Sequence, residues 1–255
     1  MDNTIRPRIV ERSEYLPGSP QEMFIVPLLK EKIEVALAKH ASPARPGERV
    51  LDVGCGEQPF RRELEAYGYI YKGMDVNQSL EGKVDYVCSI DEPIPGGLIE
   101  CGPFQFILCT EVMEHVADWD MAFRNLYSLV APGGKILITC PHFYQLHEEP
   151  FDFWRPTLHA LRYFAKRYDL EISDQEAAGD AWDVIGTAVA NCHPAPVSKR
   201  LEDRVRSRAV SVTCKWLFKL LSSHRLRRTV KMGGPLYLFN VVVLTRKGVD
   251  TLPRA

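Results

Sequence analysis

Three groups of residues in this chain have types and spacings that can do chemistry. The first is Asp52-Val53-Gly54-Cys55-Gly56, where the apolar run of Val50, Leu51 and Val53 meets two glycines one residue apart. Glycine has no Cβ and tolerates positive φ, so a ligand can lie directly against the backbone there. An acid, Asp75 of Gly73-Met74-Asp75-Val76, ends a second apolar segment about twenty residues beyond the glycines. A glycine turn followed by such an acid is the logic of a nucleotide-type cofactor site, the carboxylate accepting from ribose hydroxyls. Position 59 is Pro, not the third glycine of a dinucleotide fingerprint, and no Lys or Arg stands in the loop as a triphosphate site needs. What survives is a cofactor with a ribose and no pyrophosphate.

The second group, Thr110-Glu111-Val112-Met113-Glu114-His115, places three potential metal ligands within a short stretch. The third is the run 141–155, PHFYQLHEEPFDFWR, with two imidazoles, several carboxylates and a dense set of aromatics. Flat apolar faces for stacking beside polar groups for hydroxyls suit a polyhydroxylated or ring-bearing molecule. A hydroxyl acceptor gains from a general base, and histidine titrates nearest to neutral pH. His142, immediately after an apolar segment, is favoured over His147 for that role, and Asp152 can orient either ring.

These groups must be carried by regular elements. Apolar periodicity predicts a helix over 24–41, followed by the Pro-rich linker 42–47. Strands are expected at 49–53, 69–74, 86–88, 104–109 and 135–140, with helices at 58–67 and 119–129 between them. Ala131-Pro132-Gly133-Gly134 reads as the turn into the fifth strand. Thr157 is placed to cap a helix running to Arg167, and strands are expected at 168–173 and 236–244. Short apolar strands alternating with amphipathic segments indicate a mainly parallel sheet covered on both faces. Ligands of such sheets sit beyond the carboxyl ends of the strands, where Gly54, Gly56, Asp75, Thr110, Glu111 and His142 all fall.

Four motifs in this order resemble the class I S-adenosylmethionine-dependent methyltransferases of the type 11-like kind: VLDVGCG at 50–56, KGMDV at 72–76, FQFILCTEVMEHV at 104–116 and LVAPGGKILITCPH at 129–142. The resemblance implies an α/β, Rossmann-like seven-stranded sheet with helices on both faces, and an antiparallel pair of strands at one edge. It implies S-adenosyl-L-methionine as cofactor, with Asp52, Gly54, Cys55 and Gly56 around its methionine part and Asp75 and Val76 at its ribose. Adenine recognition falls on Ser89, Ile90 and Asp91, either Asp91 or Ser89 with backbone amides serving. Thr110 and Glu111 lie near the sulfonium end. Relatives that methylate quinone-precursor phenols are believed to use an acidic-histidine cluster for metal, but the segment is widespread without one, so no metal is assigned. The pattern HEEPFDFWRPT resembles a branch associated with glycan pathways. The expected reaction is therefore O-methylation of a sugar or glycan-precursor hydroxyl. The alternatives are O- or N-methylation of another small molecule, such as a natural-product or quinone-type ring, and a non-catalytic protein that keeps the fold.

The organisation expected is an arm and helix at 1–47, a cofactor-binding core at 48–176, a helical basic insertion at 177–232, and a final strand and tail at 233–255. Net charge is −1, yet from Ser198 to Lys231 eleven Lys or Arg face two acids. Within this insertion basic residues recur beside apolar ones over 204–221. That pattern suits either a lid with its apolar face on the domain or an element lying on an anionic membrane surface, an arrangement that would serve a lipid-linked acceptor. Nucleic acid is not expected as a partner, because no recognition module or base-methylation motif accompanies the charge. The N-terminal twenty residues lack a secretory apolar segment, no run reaches eighteen apolar residues, and the seven cysteines have no disulfide-scaffold spacing. A cytoplasmic protein, peripheral to the membrane at most, is the expectation, and the sequence leaves the oligomeric state open.

Overall fold

The structure is a computed structural model that describes residues 15–230 and 232–248. The first part of the expected N-terminal arm, Lys231 and the end of the C-terminal tail lie outside the described residues. The chain builds α1 (Ile25–His40), β1 (Arg49–Val53), α2 (Arg61–Ala66), β2 (Ile70–Asp75), β3 (Tyr86–Val87), α3 (Gly96–Cys101) and β4 (Phe104–Thr110). It continues through α4 (Trp119–Leu129), β5 (Val130–Pro141), α5 (Leu158–Arg167), β6 (Leu170–Ala178), α6 (Ala181–Ala190), α7 (Leu201–Leu221), α8 (His224–Thr229) and β7 (Phe239–Arg246).

The seven strands form one sheet in the order β3-β2-β1-β4-β5-β7-β6. All neighbours are parallel except β7, which runs antiparallel between β5 and β6. Sequence order reverses at the β1–β4 pair, where Val53 lies beside Cys109. Side chains alternate between two cores. Val50, Leu108 and Val243 pack with Ile33 and Leu37 of α1, Leu64 of α2 and Trp182 of α6 on one face. Leu51, Ile107, Ile138 and Leu244 pack with Leu98 of α3, Phe123 and Leu126 of α4 and Leu161 of α5 on the other. Burial on both faces explains why these strands read as unbroken apolar runs.

Several local expectations shift. β5 starts earlier than expected, because the strand passes through Pro132-Gly133-Gly134 and not merely from it. Phe104 pairs with Val130 and Phe106 with Lys135, so the glycines are absorbed as a bulge, Gly133 at φ +77°. Thr157 stands at the start of α5 without a side-chain cap, and its carbonyl accepts from Ala160 and Leu161 instead. β6 extends to Ala178, sustained by pairing with β7 as far as Phe239. All seven cysteines are free, and among the described residues no helix is long and apolar enough to cross a membrane.

The segment between β6 and β7 is anchored to α1. Phe24, which precedes that helix, is 3% exposed, and its ring lies 5.8 Å from that of Phe218 on α7. The guanidinium of Arg227 stands 5.8 Å from the same ring's centre. Gly186 of α6 makes this packing possible, since a Cβ there would lie 2.4 Å from Phe24 Cζ. Gly186→Val should therefore overpack the junction and cost about 1–3 kcal/mol. A thermal melt matching the parent's would show that the junction relaxes freely.

Candidate active site

The loops after β1 and β4 diverge at the order reversal and leave a crevice between them. Two cavities meet there. The smaller is bounded by Val53, Asp75, Val76, Ser89, Ile90 and Val112 among others. The larger is bounded by Asp52, Cys55, Gly56, Thr110, Tyr144 and His147, and on the α1 side by Ile25, Val26 and Leu29. Gly54, Asp75, Glu111 and Glu148 line both.

Asp75 organises the floor. One carboxylate oxygen accepts from Gly56 N–H at 3.0 Å and the other from Asn77 N–H at 3.0 Å. Gly54 and Gly56 adopt φ of +69° and +48°. Their reasons differ. A Cβ on Gly54 would stand 2.2 Å from Val112 Cγ2, whereas one on Gly56 would meet nothing within 4 Å. The glycine at 54 thus answers to a protein neighbour, and Gly56 keeps the backbone open to a ligand. Asp52 is buried and accepts from the Tyr71 hydroxyl at 2.6 Å. Burial pushes its carboxyl up to about 7, the Tyr71 bond opposing this and Asp75 adding to it.

Glu111 holds a left-handed backbone, φ +53°, with its N–H directed to Thr139 O at 3.1 Å and Oγ1 at 3.2 Å. Its Oε1 is buried and has no hydrogen-bond partner, and burial raises its pKa against the lowering influence of Thr139 and Arg155. Strain and an orphaned oxygen at one cleft residue mark a position built for a ligand. Glu114 is fully buried behind it, and desolvation followed by the Glu111 charge lifts its pKa well above the usual range.

The 142–155 run is sewn onto the segment after β4. Phe153 N–H and Trp154 N–H donate to Glu114 O, His115 Nδ1–H to Phe151 O at 2.9 Å, and Trp154 Nε1–H to Val116 O at 2.8 Å. Arg155 braces the loop from inside. It makes two bonds to the Asp152 carboxylate, at 2.5 and 2.7 Å, and further ones to Tyr144 O and Gln145 O. Asp152 in turn accepts from His147 N–H at 2.8 Å, and its Oδ2 stands 3.3 Å from His147 Nδ1. Burial acts to raise the Asp152 pKa, but the Arg155 bonds and the His147 N–H prevail and hold it low. Burial lowers His147 itself.

This geometry separates the two histidines. His147 lines the larger cavity. His142 lines neither: its Nδ1–H donates to Pro156 O at 3.0 Å, its ring stacks on Tyr237 at 4.2 Å, and its N–H donates to Leu238 O. The preference for His142 as base is therefore corrected, because that ring belongs to the junction of β5 and β7. Asp152 braces His147 and does not line the cavities. Asp91 is also displaced from its expected adenine role. Its carboxylate accepts from Ala117 N–H, Asp118 N–H and the Ser89 hydroxyl, while Ser89 and Ile90 face the cavity. Phe143, Leu146, Phe153 and Trp154 are exposed and leave the cleft to Tyr144, His147, Glu148 and Phe151. The fold brings His147 to Glu114 and His115, one ligand atom of each lying within 4.8 Å of the others, a set that could hold a divalent ion. Glu111, grouped with Glu114 and His115 by sequence, is not part of it. Arg155 had no signal in spacing; only its place in a carboxylate-rich loop hinted at its role.

The strand order, the glycine turn beside a strand-end acid, and a cleft at the order reversal define a class: the S-adenosylmethionine-dependent methyltransferases of class I fold, enzymes whose cofactor is S-adenosylmethionine. The model of the family described as "Methyltransferase domain" matches residues 25–171, more than half of the chain, and the protein belongs to that family. A mitochondrial ubiquinone biosynthesis O-methyltransferase of Mus musculus is 28% identical over 153 residues, 53% of this chain and 40% of that protein. A ubiquinone biosynthesis O-methyltransferase of Chromobacterium violaceum is 33% identical over 112 residues, 40% of this chain and 47% of that one. The matches thus span less than half the length of these curated relatives. Among solved structures, a protein proposed to be a sarcosine dimethylglycine methyltransferase, from Galdieria sulphuraria, superposes with TM-score 0.54 at 13% identity, covering 93% of this chain and 94% of that one. The cyclase SpnF does so with TM-score 0.50 at 14% identity, covering 93% and 100%. Fold likeness alone therefore does not name a reaction.

The residues fit the cofactor. Gly56 leaves backbone open, Asp75 stands at the strand end, and the buried Glu111 Oε1 lacks a partner. Asp75→Ala should weaken S-adenosylmethionine binding by about 1.5–3 kcal/mol, the scale of a hydrogen bond to a charged group; an unchanged dissociation constant by titration calorimetry would remove Asp75 from the site. A second expectation concerns pH. Burial lowers His115 from 6.5 to about 4, with the Phe151 bond opposing. The unfolded chain then takes up this proton before the folded one, so the contribution to stability is complete above pH 6.5 and is lost as pH falls from 6.5 towards 4. Melting temperatures should decline across that window, and His115→Gln should flatten the decline; an identical slope in the variant would contradict it.

Proposed function

We propose that this protein transfers a methyl group from S-adenosylmethionine to a hydroxyl of a small, ring-bearing acceptor, with His147 as general base. The observation that carries the reading is His147 on the wall of the larger cavity, braced from behind by Asp152 and Arg155. S-adenosylmethionine, when bound, supplies a methyl group already activated on a sulfonium sulfur. Gly54, Gly56 and Asp75 would hold its methionine and ribose parts, Val76, Ser89 and Ile90 its adenine side, and Glu111 its charged end.

The remaining work belongs to the chain. Asp152 Oδ2 and the carbonyl of Gln145, each 3.3 Å from His147 Nδ1, are nearer to it than the Arg155 Nη2 donor at 3.5 Å; with the proton on Nδ1 between the two acceptors, Nε2 keeps its lone pair. Burial keeps the ring neutral at physiological pH, the state a base requires. A phenolic hydroxyl, of pKa about 10 when unperturbed, must lose its proton as the methyl arrives. The apolar wall of Ile25, Val26 and Leu29 supports an apolar ring as acceptor, and the relatives' names, O-methyltransferases of ubiquinone biosynthesis, support the same chemistry. Methylation of a sugar hydroxyl is the second acceptor reading, supported by Gln145 and Glu148 at the cavity wall. The cluster of Glu114, His115 and His147 supports a variant in which a divalent ion held there acidifies the hydroxyl; activity lost to a chelator and restored by Zn²⁺ or Mg²⁺ would select it.

Release of S-adenosylhomocysteine should be screened against phenolic acids, sugar nucleotides and lipid-linked sugars. Turnover with phenols supports the favoured acceptor, turnover with sugars alone selects the second, and turnover with amines alone sinks both. On the productive acceptor, His147→Ala should lower the maximal rate by roughly 10²–10⁴-fold with cofactor affinity preserved, and the wild-type rate should rise with pH across an apparent pKa below the ordinary histidine value. A rate loss in His142→Ala with His147→Ala silent would reverse the assignment.

A further inference from the structure

We propose that α7 is an interfacial helix that docks this protein on an anionic lipid bilayer. Its inner face is not the one that amphipathicity predicts. The positions screened from solvent are Asp203, Ser207, Ser211, Cys214, Phe218 and Leu221, which recur every three or four residues and form one stripe. Mostly small or polar, they pack the helix onto α6, where the indole of Trp182 donates to Leu221 O at 2.7 Å. Of the apolar side read from the sequence, Phe218 and Leu221 turn to the domain and Val205, Val212, Trp216 and Leu220 do not.

At 100° per residue, the opposite side of α7 carries Leu201, Val205, Ala209, Val212, Trp216 and Leu220. All six are exposed, Trp216 by 73% and Leu201 by 75%. Arg204, Arg208, Lys215 and Lys219 border this stripe along one edge, and on the other side Arg206 pairs with Glu202 at 3.6 Å. The result is an outward apolar strip, about 30 Å long, with a tryptophan towards its C-terminal end and a row of cations along one edge. A bilayer with anionic headgroups matches each part: apolar side chains enter the acyl boundary, Trp sits at headgroup depth, and Lys and Arg meet the lipid charges.

Charge decides between this occupant and its rivals. A second copy of α7 laid antiparallel, stripe to stripe, would bring its row of cations against the same row of its partner. A nucleic acid would answer the cations and leave the apolar strip wet. The helix is also coupled to the cleft, because Phe218 packs against Phe24, and the following residues Ile25 and Val26 line the larger cavity. Docking through α7 would hold that wall near the bilayer. The inference rests on the helix surface and is independent of the acceptor reading.

The test is co-sedimentation of the full chain with vesicles of phosphatidylcholine alone and of phosphatidylcholine with one phosphatidylglycerol in four. Binding to the anionic vesicles is expected, weaker binding to the neutral ones, and loss of the difference at high salt. Trp216→Ser and the pair Lys215→Glu, Lys219→Glu should each reduce anionic binding by about tenfold or more with melting temperatures unchanged, since all three side chains are exposed. Absence of binding to anionic vesicles overturns the proposal, as does equal binding by folded variants and parent. Self-association of the parent that Trp216→Ser abolishes, without vesicle binding, would assign the stripe to a second copy and equally overturn it.

Discussion

The site depends on one topological constraint: β1 and β4 lie side by side in parallel while the chain leaves them towards opposite edges of the sheet. Parallel strands demand long, right-handed crossovers, and where their direction reverses the two following loops must part. Gly54 follows one strand and Glu111 the other. The residues that line the cleft hang from those two strand ends, from the ends of β2 and β3, from the loop behind β5 and from α1. Site geometry is thus inherited from strand register, which the apolar pairs Val50–Phe106, Leu51–Ile107 and Val53–Cys109 hold in place.

Within that frame the chain tolerates features that would be liabilities elsewhere. Asp52 and Glu114 are carboxyls removed from water, and the half-buried Glu111, one oxygen shielded, holds a backbone conformation that side chains disfavour. Unsatisfied oxygens remain on Glu111 and Glu114. Such a cluster persists only where its surroundings over-determine it. Here the bonds of the 151–154 backbone with Glu114 and His115 and of the Trp154 indole with Val116 do so, together with the Asp152–Arg155 pair.

The segment between β6 and β7 joins two roles. It clamps Phe24, and so fixes the helix that walls the cleft. Its longest helix spends a small-residue face on that packing and turns its apolar, basic face outward. Substrate wall and outer surface are therefore one mechanical unit.

Much of this was legible in sequence where a property is local. Gly54 and Gly56 announce positive φ, Asp75 announces a strand-end acid, and the runs at 50–53, 104–109 and 135–140 announce strands buried on both faces, because each signal is carried by neighbouring residues. The family resemblance followed from the order of such motifs. What sequence could not settle is direction and company. His142 and His147 are alike in type and close in sequence; only the stacking of Tyr237 and the carbonyl of Pro156, brought in by β7, send the first into the framework and leave the second in the cavity. The basic helix showed an apolar stripe, and amphipathicity alone places such a stripe inward. Packing chose the opposite side, because Ser207, Ser211 and Cys214 allow a closer approach to α6. Periodicity tells which residues share a face, and only the tertiary structure decides what that face meets.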